Sequence, residues 1–353
     1  MDNLAHTLVG AALGRAVAGR WVPAAALVGA VAGNAPDWTE LLITPRAWAP
    51  RSGVAYLLYH RGVTHSLLGA AVEIVGLSVL VGLLLRWWAR RRGGGPPAWP
   101  RIAACVAATV VSHVYLDWQG SYGLRPFLPW SARWYYADWV AIIDPLFWVL
   151  PLVALAWGAR RHWRPALVCS LALTSVAVLV LWTGGDTVVL WMKVAVIGLS
   201  VTCAIGWVRH WFGPAERQRA ALYGVLALAA YAGAQGVASL RAKTAVRERA
   251  IRRFGPPAEW AALTAVGRPF QWEPMCAGAD TVAGRDWAAP RHLTHPAVAQ
   301  ALATPEGRTI AHFARFLAAE VDSSGGGVRV YLRDARYVPR GPLGWAAVEV
   351  RLR

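Results

Sequence analysis

Several apolar runs of the sequence approach the roughly 20 residues that a helix needs to cross a lipid bilayer. The clearest of them extends from Ser66 to Trp88. Charged residues make up only 16% of the chain, whereas they make up about a quarter of a typical soluble domain. The sequence therefore predicts an all-α polytopic membrane helix bundle, with the lipid bilayer as its principal partner.

The apolar runs predict about eight helices. Their predicted bounds are 4–18, 22–35, 66–88, 102–118, 140–157, 166–182, 188–207 and 220–240. Arginines cluster at alternate ends of these helices, as the positive-inside rule requires of cytoplasmic loops. The clusters include Arg15 and Arg20, Arg86 and Arg90 to Arg92, and Arg160, Arg161 and Arg164. Both termini are then predicted to lie outside, although the arginines after residue 240 favour the cytoplasm for the tail.

A formal net charge of +17 would also suit a nucleic-acid-binding protein. We exclude nucleic acid as a partner because the arginines lie between apolar runs, where the membrane topology already accounts for them. The four cysteines include no CxxC pair, so no disulfide framework is expected.

From Gly255 onward the composition becomes that of a globular domain. Residues 305–321 carry apolar side chains at helical spacing, which predicts an amphipathic helix. Residues 328–338 and 345–352 alternate around a Pro-Arg-Gly-Pro turn, which predicts a β-hairpin. The predicted domains are a metal-site membrane domain (1–160), additional transmembrane helices (161–243) and a small C-terminal extramembrane α+β domain (244–353).

The segment from His60 to Ser66 concentrates polar groups beside an apolar run; it reads His-Arg-Gly-Val-Thr-His-Ser. Two histidines five positions apart do not share a face of a straight helix. They would meet on one metal ion only through a turn, which Gly62 permits. We expect His60 at the end of an extramembrane loop over 38–59 and His65 in the first turn of the next helix.

The predicted topology gathers four histidines and four aspartates at one level of the membrane. They are His6, Asp37, His60, His65, His113, Asp117, Asp138 and Asp144. Ionisable residues next to apolar helix residues are costly in lipid, and they are functional candidates for that reason. The pattern therefore predicts one shared polar site at the outer membrane edge.

His113 and Asp117 are four positions apart on a predicted helix, so they point to one face. Nitrogen and oxygen donors so placed suit zinc, although a hydrogen bond between imidazole and carboxylate would use the same spacing. Asp138 either caps a helix start or has a functional role. Arg61 and Arg125 either bind an anionic group bidentately or anchor the chain at the membrane interface.

Parts of this pattern resemble the motif set of the YdjM-like family, bacterial inner-membrane proteins that are predicted to be metal-dependent hydrolases. The matching elements are His6-Thr7 with Gly10, Ala35-Pro36-Asp37, the segment 60–66, His113 to Trp118, Ser121-Tyr122-Gly123 and Asp138 to Pro145. A weaker similarity, through the Pro-Asp and HxxxD elements, connects the chain to zinc-dependent phospholipase C and P1-type nucleases. The resemblance implies a divalent-metal site and a multi-pass location in the cell inner membrane.

We therefore hypothesise a membrane-embedded hydrolase that binds one or two divalent ions, with zinc as the expected ion. The expected ligands are His6, Asp37, His60, His65, His113, Asp117 and Asp144. Asp138 is the expected general base, and Arg61 and Arg125 would hold a lipid-borne or phosphoester substrate at the outer face of the cytoplasmic membrane. Two alternatives stay open: a metal-binding transporter, whose ligands would lie near the bilayer midplane, and a non-catalytic membrane scaffold.

Overall fold

The computed structural model describes the whole chain except residues 23, 45–52, 160–162, 183–184, 210–216, 325–326, 342–343 and 353. The described residues form two compact units. The first contains Met1–Trp38, Val63–Val237 and Thr264–Gln271, and the second contains Thr39–Gly62, Ala238–Leu263 and Trp272–Arg353. Part of the predicted loop over 38–59, Arg160, Arg161, Pro342 and the domain boundary at 160 fall outside the described residues, as does the side chain of Arg164.

The chain is helical, with a β-rich C-terminal region. The helices that contribute to the first unit are α1 (Asn3–Ala18), α2 (Ala25–Ala32), α3 (Ala35–Ile43), a 3-10 turn (Val63–His65), α5 (Leu67–Arg91), α6 (Trp99–Trp118), α7 (Leu146–Ala159), α8 (Trp163–Trp182), α9 (Leu190–Val208) and α10 (Arg217–Phe254). The intervening helix α4 (Gly53–Tyr59) belongs to the second unit.

Within the described part of the chain, four helices are long and apolar enough to cross a membrane: α5, α6, α9 and α10. Shorter apolar stretches lie in α7 (Leu146–Trp157) and α8 (Leu167–Trp182). Helix α2 has 8 residues, which correspond to about 12 Å along its axis, less than the roughly 30 Å of a bilayer core. The four candidate spans support a multi-pass protein. The second predicted span, residues 22–35, is instead a short helix, α2, followed by the start of α3.

Helices α1 and α2 pack unusually closely because glycines face each other across the contact. A Cβ atom built on Gly29 would lie 2.1 Å from the carbonyl oxygen of Gly10, and one built on Gly10 would lie 2.4 Å from the carbonyl oxygen of Gly29. No side chain larger than hydrogen fits at either position. Small residues at helix contacts are a common solution in membrane proteins, where close backbone approach drives association.

Two side-chain caps fix the start of α1, which carries His6, and the start of α5, which follows His65. Asp2 caps α1 by accepting a hydrogen bond from the Ala5 N–H, and its Oδ1 also accepts one from Trp148 Nε1 at 3.0 Å. Ser66 caps α5 by accepting a hydrogen bond from the Gly69 N–H. A side-chain cap satisfies a backbone donor that the helix itself leaves unpaired.

The structure corrects three of the predicted elements. The interval 38–59, predicted as a loop, contains the rest of α3 and all of α4. Helix α7 begins at Leu146 rather than at 140, because Pro145 precedes it and the Asp144 carboxylate accepts the Leu146 N–H. Helix α10 continues to Phe254 instead of ending near 240, since nothing in the basic sequence that follows breaks a helix.

The second unit contains two antiparallel sheets. Their strands are β1 (Glu259–Thr264), β2 (Trp272–Ala277), β3 (Thr281–Ala283) and β4 (Ala288–Pro290) in one sheet, and β5 (Leu317–Asp322), β6 (Val328–Asp334) and β7 (Ala347–Leu352) in the other. The predicted hairpin is confirmed, with Val330 opposite Val350. The prediction of one long amphipathic helix over 305–321 is wrong. Helix α12 (Pro305–Phe313) ends where Ala314 adopts an extended conformation, and β5 begins at Leu317. Helix α11 (Pro296–Leu302) precedes it.

Candidate metal centre

Three histidines and two aspartates from four elements of the first unit converge in the fold. His6 lies in α1, Asp37 in α3, His65 at the end of the 3-10 turn, and His113 and Asp117 near the end of α6. His65 and His113 are fully buried, and His6 and Asp117 are 1% exposed. Such burial of polar groups is costly unless they bind one another or a ligand.

The spacing of the donor atoms matches a metal coordination sphere. Asp117 Oδ1 lies 3.3 Å from His6 Nε2, and Asp117 Oδ2 lies 3.4 Å from His65 Nε2 and 3.6 Å from His113 Nε2. His65 Nε2 and His113 Nε2 are 3.1 Å apart. Two donors bound to a tetrahedral zinc at about 2.1 Å are themselves about 3.4 Å apart. The observed distances are therefore those expected around one ion.

Asp37 closes the same cluster from α3. Its Oδ1 lies 3.2 Å from His65 Nε2 and 3.9 Å from His113 Nε2. Burial on its own would raise the pKa of Asp37, but the hydrogen bond with His65 and the nearby imidazoles hold this pKa well below its ordinary value. Asp37 is therefore ionised at neutral pH, as a metal ligand must be.

Hydrogen bonds at the far ring nitrogens orient two of the histidines. His113 Nδ1 donates to the carbonyl oxygen of Gly33 at 2.7 Å, and His65 Nδ1 lies 2.9 Å from Thr64 Oγ1. Because a carbonyl only accepts, His113 carries its proton on Nδ1 and presents the lone pair of Nε2 to the cluster. A partner of this kind accompanies almost every metal-bound histidine.

His6 provides an independent test of whether these residues fit an ion. Its ring stacks on that of His113, with centroids 3.8 Å apart. Among the described residues, neither of its ring nitrogens has a hydrogen-bond partner of good geometry, although the ring is buried. A buried imidazole without a partner is destabilising. His6 Nε2 lies 3.3 Å from Asp117 Oδ1, and a cation bound by both atoms would satisfy Nε2, so the donor set fits a divalent metal.

Two overlapping groups of ligand atoms follow from these positions. One is His6, His113 and Asp117, and the other is Asp37, His65 and His113, each with all its ligand atoms within 4.8 Å of one another. The amino group of Met1 also contacts Asp117 Oδ1. The five residues were all predicted as ligands, and the structure brings them together.

His60, also predicted as a ligand, lies in the second unit and has a different environment. Its Nδ1 is 2.9 Å from Glu40 Oε1, and Glu40 Oε2 accepts the backbone N–H of Arg61 at 2.9 Å. The ring of Tyr56 stacks on that of His60. The predicted turn also differs, since Arg61 rather than Gly62 adopts a positive φ of 52°. Binding of a metal by His60 stays a prediction.

Sequence reasoning did not identify Glu40, which is 1% exposed and is the hydrogen-bond partner of His60. The only available signal was an acid in an otherwise apolar stretch, Trp38 to Ile43. Its pairing with a residue 20 positions later depends on the fold, because Glu40 lies on α3 and His60 directly follows α4.

Asp144 is hydrogen-bonded within the first unit to residues of α10. Its Oδ2 accepts from the Tyr231 hydroxyl at 2.8 Å and from Gln235 Nε2 at 3.2 Å, while its Oδ1 accepts from the Leu146 N–H. Neither ligand group of the described residues includes Asp144. These contacts support a structural role that joins the start of α7 to α10, and its predicted role as a ligand remains without support from geometry.

We expect Tyr231→Phe to lower the stability of the protein by about 1 to 2 kcal/mol, because it removes a hydrogen bond to a buried carboxylate. Thermal unfolding in detergent measures the change. Tyr223→Phe is the matched control, since Tyr223 lies on the same helix and is 66% exposed. Equal melting temperatures for the two variants would contradict the structural role of Asp144.

The residues predicted to act in catalysis and in substrate binding are buried as well. Asp138 is 1% exposed and adopts a positive φ of 52°, an uncommon conformation outside glycine. Arg125 is 4% exposed, and its guanidinium lies 4.6 Å from the ring centre of Trp134. Arg61 is 3% exposed. Their roles in catalysis and substrate binding stay predictions.

Comparison with known proteins supports the resemblance seen in the motifs. Residues 1–188, more than half of the chain, match the model of the YdjM inner membrane protein family. No match was found among curated proteins or among solved structures. The matched region includes all five converging residues. The inner-membrane location is thereby confirmed, and this chain belongs to the YdjM inner membrane protein family.

Proposed function

We propose that this protein is a membrane-embedded, metal-dependent hydrolase with zinc as its ion. The observation that supports the proposal best is the buried convergence of three imidazoles and two carboxylates at coordination distances. The Nδ1 atoms of His65 and His113 have partners of their own, which leaves Nε2 of both rings towards the cluster. A bound cation would also satisfy Nε2 of the buried His6 ring, whose contact with Asp117 at 3.3 Å is not a hydrogen bond of good geometry.

The geometry favours one ion over two. The two ligand groups share His113, and the Nδ1–H of His113 is donated to Gly33. An imidazole bridges two metals only when both of its nitrogens are available. His113 therefore serves one ion through Nε2, with His6, His65, Asp37 and Asp117 as the remaining candidate donors.

The most accessible donor indicates where water and substrate would enter. The side chain of Asp37 is 14% exposed, whereas those of His65 and Asp117 are 0% and 2% exposed. A bound zinc ion lowers the pKa of a coordinated water towards neutrality and so supplies a nucleophile. Asp37 lies on the more exposed side of the cluster, so we expect water and substrate to reach the ion past this carboxylate.

A lipid-borne phosphoester is the substrate class that the position of the centre favours. His65 lies just before α5 and Asp117 in the last turn of α6, and both helices are candidate membrane spans. With α5 and α6 as membrane spans, the centre would lie at a membrane edge, at the depth of lipid headgroups, rather than near the midplane. Transporter sites usually lie near the midplane between broken helices. The position of this cluster at helix ends therefore favours the hydrolase hypothesis over a metal transporter.

The proposal is tested by hydrolysis of lipid-linked phosphates and phospholipids by purified protein. We expect activity that a chelator abolishes and zinc restores, and a loss of at least about 100-fold in Asp117→Asn, because a neutral amide is a poor replacement for a metal-bound carboxylate.

His312→Ala serves as the control, since His312 lies on α12 and is exposed. Activity that survives complete removal of metal would contradict the proposal. Stoichiometric zinc binding without hydrolysis of any lipid-linked or soluble phosphoester would favour the transporter or scaffold reading instead.

A further inference from the structure

The turn after α1 and the loop between α5 and α6, both in the first unit, are strongly basic in sequence. Residues 3–36 and 74–116 contain no aspartate or glutamate. The arginines in these stretches are Arg15, Arg20, Arg86, Arg90, Arg91, Arg92 and Arg101. No carboxylate of these stretches can neutralise them, so an anion from outside the chain would find a complementary surface.

A cavity of about 230 Å³ opens at these basic segments. It is lined by Trp21, Leu85, Trp88, Pro96, Pro97 and Ile102, among others. Its walls come from the turn between α1 and α2, the end of α5 and the start of α6. The volume is below the roughly 300 to 1,000 Å³ of pockets that enclose whole small ligands. The cavity therefore suits part of a larger, flexible apolar molecule.

Arginines are stacked on the aromatic walls of this cavity. The guanidinium of Arg92 lies 4.5 Å from the ring centre of Trp88, and that of Arg101 lies 4.0 Å from the ring centre of Trp21. Stacking restrains each guanidinium and leaves its in-plane N–H donors directed away from the ring. The two cations are thereby held beside an apolar cavity, on aromatic rings that line it.

The start of α6 adds a second source of positive potential. Its cap residue, Ala98, supplies no side-chain hydrogen bond, and its first turn contains no acidic residue. Carboxylates are the usual stabilising groups at a helix N-terminus. Here Arg101 is present in their place, which is unfavourable unless an anion binds nearby.

We propose that this cavity binds one anionic phospholipid, with its phosphate on Arg92 and Arg101 and its glycerol and upper acyl chain against Trp21 and Trp88. The positive-inside rule assigns these basic segments to the cytoplasmic leaflet, which is negatively charged. Arg101 and Asp117 are separated by about 24 Å along α6. The lipid site is therefore distinct from the metal centre and does not depend on the proposed hydrolase activity.

The test uses delipidated full-length protein in a neutral detergent, titrated with phosphatidylglycerol or phosphatidylcholine and followed by native mass spectrometry. We expect one phosphatidylglycerol to bind at least about tenfold more tightly than phosphatidylcholine, a difference of about 1.4 kcal/mol. The double variant R92A/R101A should lose this preference. R133A is the control, because Arg133 is exposed and also lies over an aromatic ring, that of Tyr135, but away from the cavity.

A second variant tests the cavity independently of charge. Ala89→Trp places a large side chain in the lining, and we expect it to weaken phosphatidylglycerol binding while all arginines are retained. The proposal would be overturned if the two lipids bind equally tightly, or if R133A loses as much phosphatidylglycerol affinity as R92A/R101A. Tight binding of inorganic phosphate alone would also overturn it. The melting temperature of each variant without lipid shows that the fold is unchanged.

Discussion

Replacing His113 by alanine is expected to reduce the zinc content of the purified protein to less than about a tenth of the wild-type value. Loss of an outer hydrogen-bonding partner alone typically costs about 10- to 100-fold in metal affinity, and loss of a ligand costs more. His113 belongs to both ligand groups, so its removal disrupts either arrangement of donors. Metal analysis of protein purified without chelator, and then titrated with zinc, measures the effect.

Graded variants separate ligand loss from misfolding. Thr64→Ala removes the partner of His65 Nδ1 and should lower zinc affinity by about 10- to 100-fold while zinc is still bound at saturation. His312→Ala, on the exposed face of α12, should bind zinc as the wild type does. If His113→Ala retains full zinc occupancy while remaining folded, the metal centre does not exist as described.

The second large effect is expected for Gly29→Leu, which should destabilise the protein by about 3 kcal/mol or more because the contact between α1 and α2 leaves no space for a side chain. Even a Cβ atom at this position would lie 2.1 Å from a backbone oxygen. Backbone cannot move away as the end of a flexible side chain can. We expect a marked fall in melting temperature and in the yield of monodisperse protein.

Gly76→Leu is the matched control, since Gly76 also lies in a membrane helix but a Cβ atom at this position would have no described neighbour within 4 Å. This variant should resemble the wild type in melting temperature. Equal destabilisation by the two substitutions would show that steric overlap at the contact between α1 and α2 does not explain the effect of Gly29→Leu. Zinc binding should fall together with stability in Gly29→Leu, because His6 lies on α1.

Much of the candidate metal centre was predictable because imidazoles and carboxylates are conspicuous in an apolar sequence. His6, Asp37, His65, His113 and Asp117 were each noted, since ionisable groups in membrane helices need a partner. The spacing of His113 and Asp117 on one helix face follows directly from helix geometry. Bringing together groups from α1, α3, the 3-10 turn and α6, however, required the assumption that these elements share one membrane level.

Other features depend on contacts that the local sequence does not contain. The pairing of Asp144 with Tyr231 joins residues 87 positions apart, and that of Glu40 with His60 depends on two helices in a segment predicted as a loop. The β6–β7 hairpin was predictable because alternation is a local signal. The end of α12 was not, because the apolar residues Phe316 and Leu317 continue the helical pattern into a strand.

The hydrogen bond from His113 to Gly33 links the candidate metal centre to the stability of the hairpin formed by α1 and α2. Gly33 is the C-cap of α2, so the ring that we propose as an ion ligand also donates to a carbonyl at the end of the glycine-packed hairpin. Occupancy of the ion and order in the hairpin are then thermodynamically linked. An ion present at 100 times its dissociation constant would contribute about 2.7 kcal/mol to the folded state. If the centre binds an ion as proposed, a shortage of metal would lower the stability of the N-terminal helices as well as any activity.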